Sequence, residues 1–361
     1  MRVLIAGGGT GGHLYPGIAL ARELQGRGMG IEILFVGTAR GLESRVLPRE
    51  GFPLRLIQVD GLLGKGLFKG VRVLLTLPVA LWQSFCILRE VKPVLVIGVG
   101  GYASGPLMLA AIFLGIPRLI LEQNVIPGLT NRLLAPRMDA VVVAFEASCS
   151  YFRGKRIEVL GNPIRRELLE KERVDPRMQG NQTLLVFGGS RGARTINRAM
   201  VEALDILKKE KGRLFIIHQT GEGDFPWVKQ AYAERSIQAQ VEPFLYEIGE
   251  AYRQADFVVG RAGATTIAEV TACGLPAILI PYPFAVHGHQ RLNAEVMKKA
   301  RAAVIIEDGD LTGPRLAQEI LRLLHDPEDL RRMGEASRSL GRPQAAVAIA
   351  DLCLSLIGVG S

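Results

Sequence analysis

The first fifteen residues constrain the fold most tightly. Val3–Ala6 is a short apolar run of the kind that forms a buried parallel strand. It ends at five glycines in six positions, Gly7-Gly-Gly-Thr-Gly-Gly12, followed by His13. Tyr15-Pro16-Gly17 then leads into Ile18–Leu24, which reads as a helix. Strand, glycine turn and helix N-terminus together form an anion site, because backbone N–H groups and the helix dipole point into the turn. Glycine lets the main chain approach a ligand that a Cβ would hold off. His13 adds an imidazole, which carries a proton near neutral pH.

A chain of 361 residues suits two domains of about 150 each, and the second half restarts the opening pattern. Thr183–Phe187 reads as a strand, Gly188–Arg194 as a glycine turn and Ile196–Leu207 as a helix. Phe257–Pro281 mirrors Leu95–Leu121: strand, glycine loop, a helix closed by Gly115-Ile-Pro117 or Gly274-Leu-Pro276, and another strand. Further strands are predicted at Ile31–Val36, Leu54–Val59, Ala140–Ala144 and Glu158–Leu160, with a short helix between Gly41 and Pro53. Pro163 and the charged stretch Arg165–Gln182 read as a junction. The order predicts an α/β chain of two doubly wound Rossmann-like domains facing a cleft, with ligands at the carboxyl ends of the strands.

The net charge of +9 calls for an anionic partner: nucleic acid, lipid or a phosphorylated small molecule. Nucleic acid is disfavoured, since aromatics make up 6% of the chain and do not interleave with basic residues. Cys86, Cys149, Cys273 and Cys353 are far apart, which suggests neither a zinc site nor a disulfide framework and fits a reducing cytoplasm. No signal peptide is expected, because Val3–Ala6 is too short for an h-region. Val94–Pro117 is uncharged, yet Gly98–Pro106 at its middle cannot continue a spanning helix. The segment Gly61–Lys92 carries Leu63, Leu67, Phe68, Leu75 and Trp82 among Lys65, Lys69 and Arg72. It reads either as a helix docked on the sheet or as an apolar patch with a basic fringe, lying on an anionic membrane surface.

Gly7-x-Gly9-x-x-Gly12 satisfies the dinucleotide fingerprint, but the second strand ends in Val36-Gly37-Thr38 and lacks the acid that would hold a ribose. Gly263-Ala-Thr-Thr-Ile-Ala-Glu269 places a carboxylate in the first turns of a helix. That carboxylate either complements the dipole or accepts bonds from two ribose hydroxyls. His287-Gly-His289 reads as a loop, having no further ligands spaced to complete a metal shell. Asp308-Gly-Asp310 reads as the capped lead-in to a helix, and His218, on an apolar strand, as structural.

Seven motifs occur in order: Gly8-Gly-Thr-Gly-Gly-His13, Gly100-Gly-Tyr-Ala-Ser-Gly-Pro106, Glu122-Gln-Asn124, Gly161-Asn-Pro-Ile-Arg165, Gly188-Gly-Ser-Arg-Gly-Ala-Arg194, Arg261-Ala-Gly-Ala264 and His289-Gln290. Together they resemble the family 28 glycosyltransferases that add N-acetylglucosamine (GlcNAc) to the lipid-linked muramyl-pentapeptide of bacterial peptidoglycan. The resemblance covers nearly the whole chain and implies a GT-B fold. Residues 1–163 would bind acceptor and membrane, 164–341 would bind UDP-GlcNAc, and 342–361 would form a helix crossing back to the first domain. It further implies inverting transfer to the muramic acid 4-hydroxyl with no cofactor or essential metal. The acceptor would be linked to undecaprenyl diphosphate, and the enzyme peripheral on the cytoplasmic face of the cell membrane.

Carried over by position, the resemblance gives Thr10, Gly11 and Gly12 to the donor sugar and diphosphate, and makes Asn124 and Arg165 donor contacts. Ser190 matches the phosphate-loop serine, Leu245 and Ala264 border the uracil, and Thr265 lies by the phosphates. Glu269 takes the ribose hydroxyls and Gln290 the sugar hydroxyls. His13 is the candidate base and Glu122 the alternative, and the residues alone do not decide between them. A soluble UDP-GlcNAc 2-epimerase of the same fold is the competing reading, against which the apolar basic segment speaks.

Overall fold

The computed structural model describes residues 1–59, 67–153, 156–169, 181–189 and 192–359, with side chains omitted over 67–75. The chain divides into two compact units, Met1–Arg165 with Pro343–Ser361, and Arg166–Arg342.

The first unit is built on a parallel sheet of seven strands in the order β3-β2-β1-β4-β5-β6-β7. The strands are β1 (Arg2–Gly7), β2 (Glu32–Gly37), β3 (Leu54–Leu56), β4 (Leu95–Gly100), β5 (Arg118–Glu122), β6 (Ala140–Val143) and β7 (Ile157–Val159). The helices are α1 (Gly11–Gly26), α2 (Glu43–Arg49), α3 (Leu67–Val91), α4 (Ser104–Phe113) and α5 (Leu129–Leu134). Successive side chains of a strand point to opposite faces, so the apolar run of β1 feeds two cores. Val3 and Ile5 join Phe35, Ile97 and Leu121 on one face, while Leu4 and Ala6 join Val96, Ile120 and Leu107 on the other. The terminal helix, Ala345–Leu356, also belongs to this unit. Its Ile349, Ala350, Cys353 and Leu354 complete the first core. Arg27 holds it there through an ion pair with Asp351 (2.8 Å) and a bond to the Val347 carbonyl (3.3 Å).

The second unit has six parallel strands in the order β10-β9-β8-β11-β12-β13. They are β8 (Gln182–Phe187), β9 (Leu214–Gln219), β10 (Ala239–Glu242), β11 (Phe257–Gly260), β12 (Ala277–Leu279) and β13 (Ala303–Ile305). Its helices are α6 (Arg194–Leu207), α7 (Phe225–Glu234), α8 (Ile248–Gln254), α9 (Ala264–Ala272), α10 (His289–Lys299), α11 (Gly313–His325) and α12 (Pro327–Leu340), which makes the terminal helix α13. Leu184 and Val186 of β8 pack with Ile196, Met200 and Leu204 of α6 and with Leu316, Ile320 and Leu323 of α11.

The repeat predicted from sequence is present: β4-α4-β5 and β11-α9-β12 occupy equivalent positions in their sheets. Helices α4 and α9 are followed by Gly115 (φ +65) and Gly274 (φ +64), left-handed glycines that let the chain turn back to the next strand. The first helix departs from expectation. It begins at Gly11, seven residues before the predicted Ile18, with extended Thr10 at its N-cap and Pro16 inside it. In the second turn of the helix the Pro16 ring only forgoes one ladder bond, and Thr10 is what ends the glycine turn.

Candidate active site

A doubly wound sheet binds ligands where its strand order reverses, outside the carboxyl ends of the strands. In the first unit the reversal lies between β1 and β4, so the loops in question are 7–13 and 100–104. In the second it lies between β8 and β11, which singles out 188–193 and 261–264. Four of the seven sequence motifs therefore sit at the two reversal points.

In the first unit the two glycine loops approach main chain to main chain. Gly8 N–H donates to the Gly100 carbonyl at 3.3 Å. A Cβ on Gly101 (φ +85) would lie 2.4 Å from the Gly8 carbonyl oxygen, which no real side chain tolerates. His13 lies in the first turn of α1 and packs on Gly100, where a Cβ would come within 2.8 Å of the imidazole Cδ2. Its Nδ1 is 3.4 Å from Thr10 Oγ1.

The first glycine turn already holds an anion of the protein's own. Glu43, at the start of α2 and 1% exposed, accepts from Gly9 N–H (2.7 Å), Thr38 N–H (2.8 Å) and Thr38 Oγ1 (2.9 Å). The Gly9 amide of the turn is thus engaged by the protein's own carboxylate. Sequence reasoning missed Glu43. The available signal was the lone acid between Gly41 and the apolar Val46-Leu47, six residues past the glycine that ends β2.

Glu122, at the end of β5 and also buried, accepts from four donors. Oε1 takes Asn124 N–H (3.0 Å) and Asn124 Nδ2 (3.4 Å); Oε2 takes Gly128 N–H (3.0 Å) and Asn131 Nδ2 (2.9 Å). The carboxylate thereby shapes the loop bearing Asn124, whose carbonyl also accepts from Ser148 Oγ. Arg165 stacks its guanidinium 4.2 Å from the centre of the Tyr15 ring, beside the first helix.

In the second unit, Gly192 (φ +73) passes so close to Thr220 that a Cβ would lie 1.9 Å from its carbonyl oxygen, and Gln219 Nε2 donates to the Gly189 carbonyl at 2.9 Å. Ala264 and Thr265 open α9 behind Gly263. Glu269, one turn further and buried, accepts from Tyr252 Oη at 3.1 Å. Tyr252, another residue missed in the sequence, packs edge-on against Phe187 with ring centres 5.8 Å apart and so orients the carboxylate. Leu245 is buried. Gln290, at the start of α10, accepts from Tyr282 N–H through Oε1 at 2.9 Å, and its neighbour His289 bonds the Val286 carbonyl through Nδ1 at 2.8 Å.

Arg261, quoted in a motif but given no role, ties this site together. It pairs with Asp308, donates to Thr195 Oγ1 (2.9 Å) and the Ile280 carbonyl (3.2 Å), and lies over the Tyr282 ring. The capping role expected of Asp308-Gly-Asp310 is therefore wrong: Thr312 caps α11 through Arg315 N–H, and Asp308 is the partner of Arg261. His218 is structural, as expected. It lies between Tyr232 Oη and Asn197 Oδ1, each 3.1 Å away, and full burial lowers its pKa to about 3. Ser190, Leu63 and Lys65 lie outside the described residues, as do the side chains of Leu67, Phe68, Lys69, Arg72 and Leu75. Trp82 of α3 is 69% exposed.

Residues 3–143 match the glycosyltransferase family 28 N-terminal domain, and residues 183–349 match the family's C-terminal domain. The chain belongs to glycosyltransferase family 28. A curated family 28 relative, the UDP-N-acetylglucosamine–N-acetylmuramyl-(pentapeptide) pyrophosphoryl-undecaprenol N-acetylglucosamine transferase of Myxococcus xanthus, is 48% identical over 357 residues, covering 99% of this chain and 93% of its own. Among solved structures, Acinetobacter baumannii MurG superposes with a TM-score of 0.79 at 32% identity, covering 98% of this chain and 99% of its own. The UDP-GlcNAc 2-epimerase of Neisseria meningitidis reaches a TM-score of 0.66 over 98% of this chain and 100% of its own, but at 14% identity it shares only the fold. This family 28 chain is a glycosyltransferase built on the two doubly wound α/β units that its sequence implied.

Proposed function

We propose that this chain transfers GlcNAc from UDP-GlcNAc to the 4-hydroxyl of lipid-linked N-acetylmuramyl-pentapeptide, with inversion at C1. One observation carries the reading: 48% identity across 99% of the chain to a curated transferase of that name. The acceptor oxygen attacks C1 and its proton passes to a base; the C1–O bond to the diphosphate breaks, and UDP departs with the electron pair. His13 serves as that base. In the tautomer whose Nδ1–H donates to Thr10 Oγ1, the lone pair lies on Nε2. Glu122 is the weaker candidate, because four donors already occupy its two oxygens.

The donor is assigned to the second unit. Glu269 takes the ribose hydroxyls, Leu245 and Ala264 border the uracil, Thr265 and Ser190 meet the phosphates, and Gln290 meets the sugar. Thr10, Gly11, Gly12, Asn124 and Arg165 contribute from the first unit. Helix N-termini and backbone N–H groups stabilise the charge that develops on the leaving diphosphate, so the proposal requires no divalent ion or other cofactor.

The enzyme sits peripherally on anionic lipid at the cytoplasmic face of the membrane, with no nucleic-acid partner. No described helix is long and apolar enough to cross a membrane. The first unit instead exposes Trp82, Phe113 (68%) and Leu133 (65%) on α3, α4 and α5. These helices pack in succession, and large exposed apolar side chains on them support an interaction surface there.

Incubating the protein with labelled UDP-GlcNAc, with and without lipid-linked muramyl acceptor, tests the proposal. Label is expected on the lipid. Conversion of UDP-GlcNAc to its 2-epimer in the absence of acceptor would support the competing reading.

A further inference from the structure

We propose that Glu43 is a positioning residue of the transferase. Its carboxylate, built into the amide cradle of the first glycine turn, fixes the main chain that carries Thr10 to His13. The functional part of this inference rests on the transfer reaction proposed above.

A Cβ on Gly8 would lie 2.3 Å from the Glu43 carboxyl group, one on Gly37 2.5 Å from Glu43 Cγ, and one on Gly41 2.0 Å from Oε2. Gly37 and Gly41 have no left-handed φ, so backbone conformation does not demand glycine at either place. The space they leave is filled by this one side chain. Three hydrogen bonds of 2.7 to 2.9 Å converge on it from two loops, the β1–α1 turn through Gly9 and the β2–α2 loop through Thr38. Ser44 Oγ, bonded to the Gly41 carbonyl at 2.9 Å, braces the second of those loops.

A buried carboxylate with only donors around it is costly to remove, because three donors would be left without an acceptor. Its location gives it a further consequence. Gly9 directly precedes Thr10, the N-cap of α1, so the anion stands where the helix dipole favours one. It joins the turn that bears His13 to β2 of the sheet, while Gly100 and Gly101 hold the same turn from the other side. Ligand contacts from this turn are thereby confined to Thr10 and beyond.

The isosteric variant Glu43→Gln tests the inference, since one carboxamide oxygen cannot serve donors in both loops. Three measurements apply to the full-length protein: hydrogen exchange of a peptide spanning residues 7–14, kcat against KM for UDP-GlcNAc, and the melting temperature. Exchange in that peptide should accelerate by about tenfold or more. Turnover should fall by about 100-fold, the scale of a 1 Å misplacement, with KM for the donor changing about threefold or less. Thr38→Val should act in the same direction but more weakly, and Thr38→Ser, which keeps the hydroxyl, should match wild type. Unchanged exchange in Glu43→Gln overturns the inference, and so does a loosened turn with wild-type kcat. If Glu43→Gln does not fold, the contrast between Thr38→Val and Thr38→Ser decides. If the wild-type protein transfers no sugar, the proposed reaction fails while the exchange measurement still judges the pin.

Discussion

Replacing Gly101 by alanine separates two effects that usually arrive together. Gly101 has φ +85, where an L-residue costs about 1–2 kcal/mol. In a unit of this size that strain lowers the melting temperature by about 2–8 °C. The new Cβ would also stand 2.4 Å from the Gly8 carbonyl oxygen and 3.1 Å from its nitrogen. Restoring van der Waals contact requires the two glycine loops to part by about 1 Å, weakening the bond from Gly8 N–H to the Gly100 carbonyl. A shift of that size in the turn bearing His13 should reduce kcat by about 100-fold. Gly51→Ala is the control: its φ is +74, yet nothing lies within 4 Å of the added Cβ, so it should lose stability but keep turnover. The assay is the initial rate of label transfer at saturating UDP-GlcNAc, read beside the melting temperature. If folded Gly101→Ala turns over within about threefold of Gly51→Ala, the claim that these two loops position the chemistry is refuted.

Other outcomes follow from the same geometry. His13→Ala should cut turnover by about 100-fold or more while UDP affinity, measured by calorimetry, stays near wild type; near-wild-type turnover would exclude His13 as the base. Glu269→Ala should weaken UDP binding by about 1.5–3 kcal/mol, the range for hydrogen bonds to a charged group, and Tyr252→Phe by less; equal losses in the two variants would contradict the assignment. Trp82→Asp with Phe113→Asp, or Lys65, Lys69 and Arg72 exchanged for Glu, should release the protein from anionic vesicles, and unchanged co-sedimentation would remove these residues from the binding surface. His218 has its pKa lowered by burial from 6.5 to about 3, so below pH 6.5 the unfolded chain binds a proton that the folded one does not. Stability is complete above that pH and falls by up to about 1.4 kcal/mol per unit as pH drops toward 3. His218→Gln should flatten that slope in chemical denaturation, and an unchanged slope would assign it to other groups.

Much of the fold was legible because the core strands are near-continuous apolar runs bounded by glycine, a pattern with little ambiguity once it recurs. Val3–Ala6 and Thr183–Phe187 announce the strand at the reversal point of each sheet, and the Gly-Ile/Leu-Pro closures at 115–117 and 274–276 mark equivalent helix ends. The helix α1 begins earlier than the apolar run at Ile18 suggests, because glycines followed by His13 do not look helical in isolation. The misreading of Asp308 has a different cause. Its partner Arg261 lies 47 residues away, and nothing in a local window distinguishes a cap from a distant ion pair. Glu43 and Tyr252 escaped for the same reason, as their importance lies in contacts made across the fold: Gly9 to Glu43 spans 34 residues and Tyr252 to Glu269 spans 17. Local pattern located the glycine turns, and only tertiary contact revealed that one of them carries its own anion.

The proposed reaction is a direct displacement at C1 of UDP-GlcNAc, with helix N-termini in place of a cation. Its most direct test is the anomeric configuration of the GlcNAc–muramyl bond in product formed in the presence of a chelator, read by proton NMR. A β-linked product formed at an undiminished rate is expected. An α-linked product, or a reaction abolished by chelation and restored by magnesium, would contradict it.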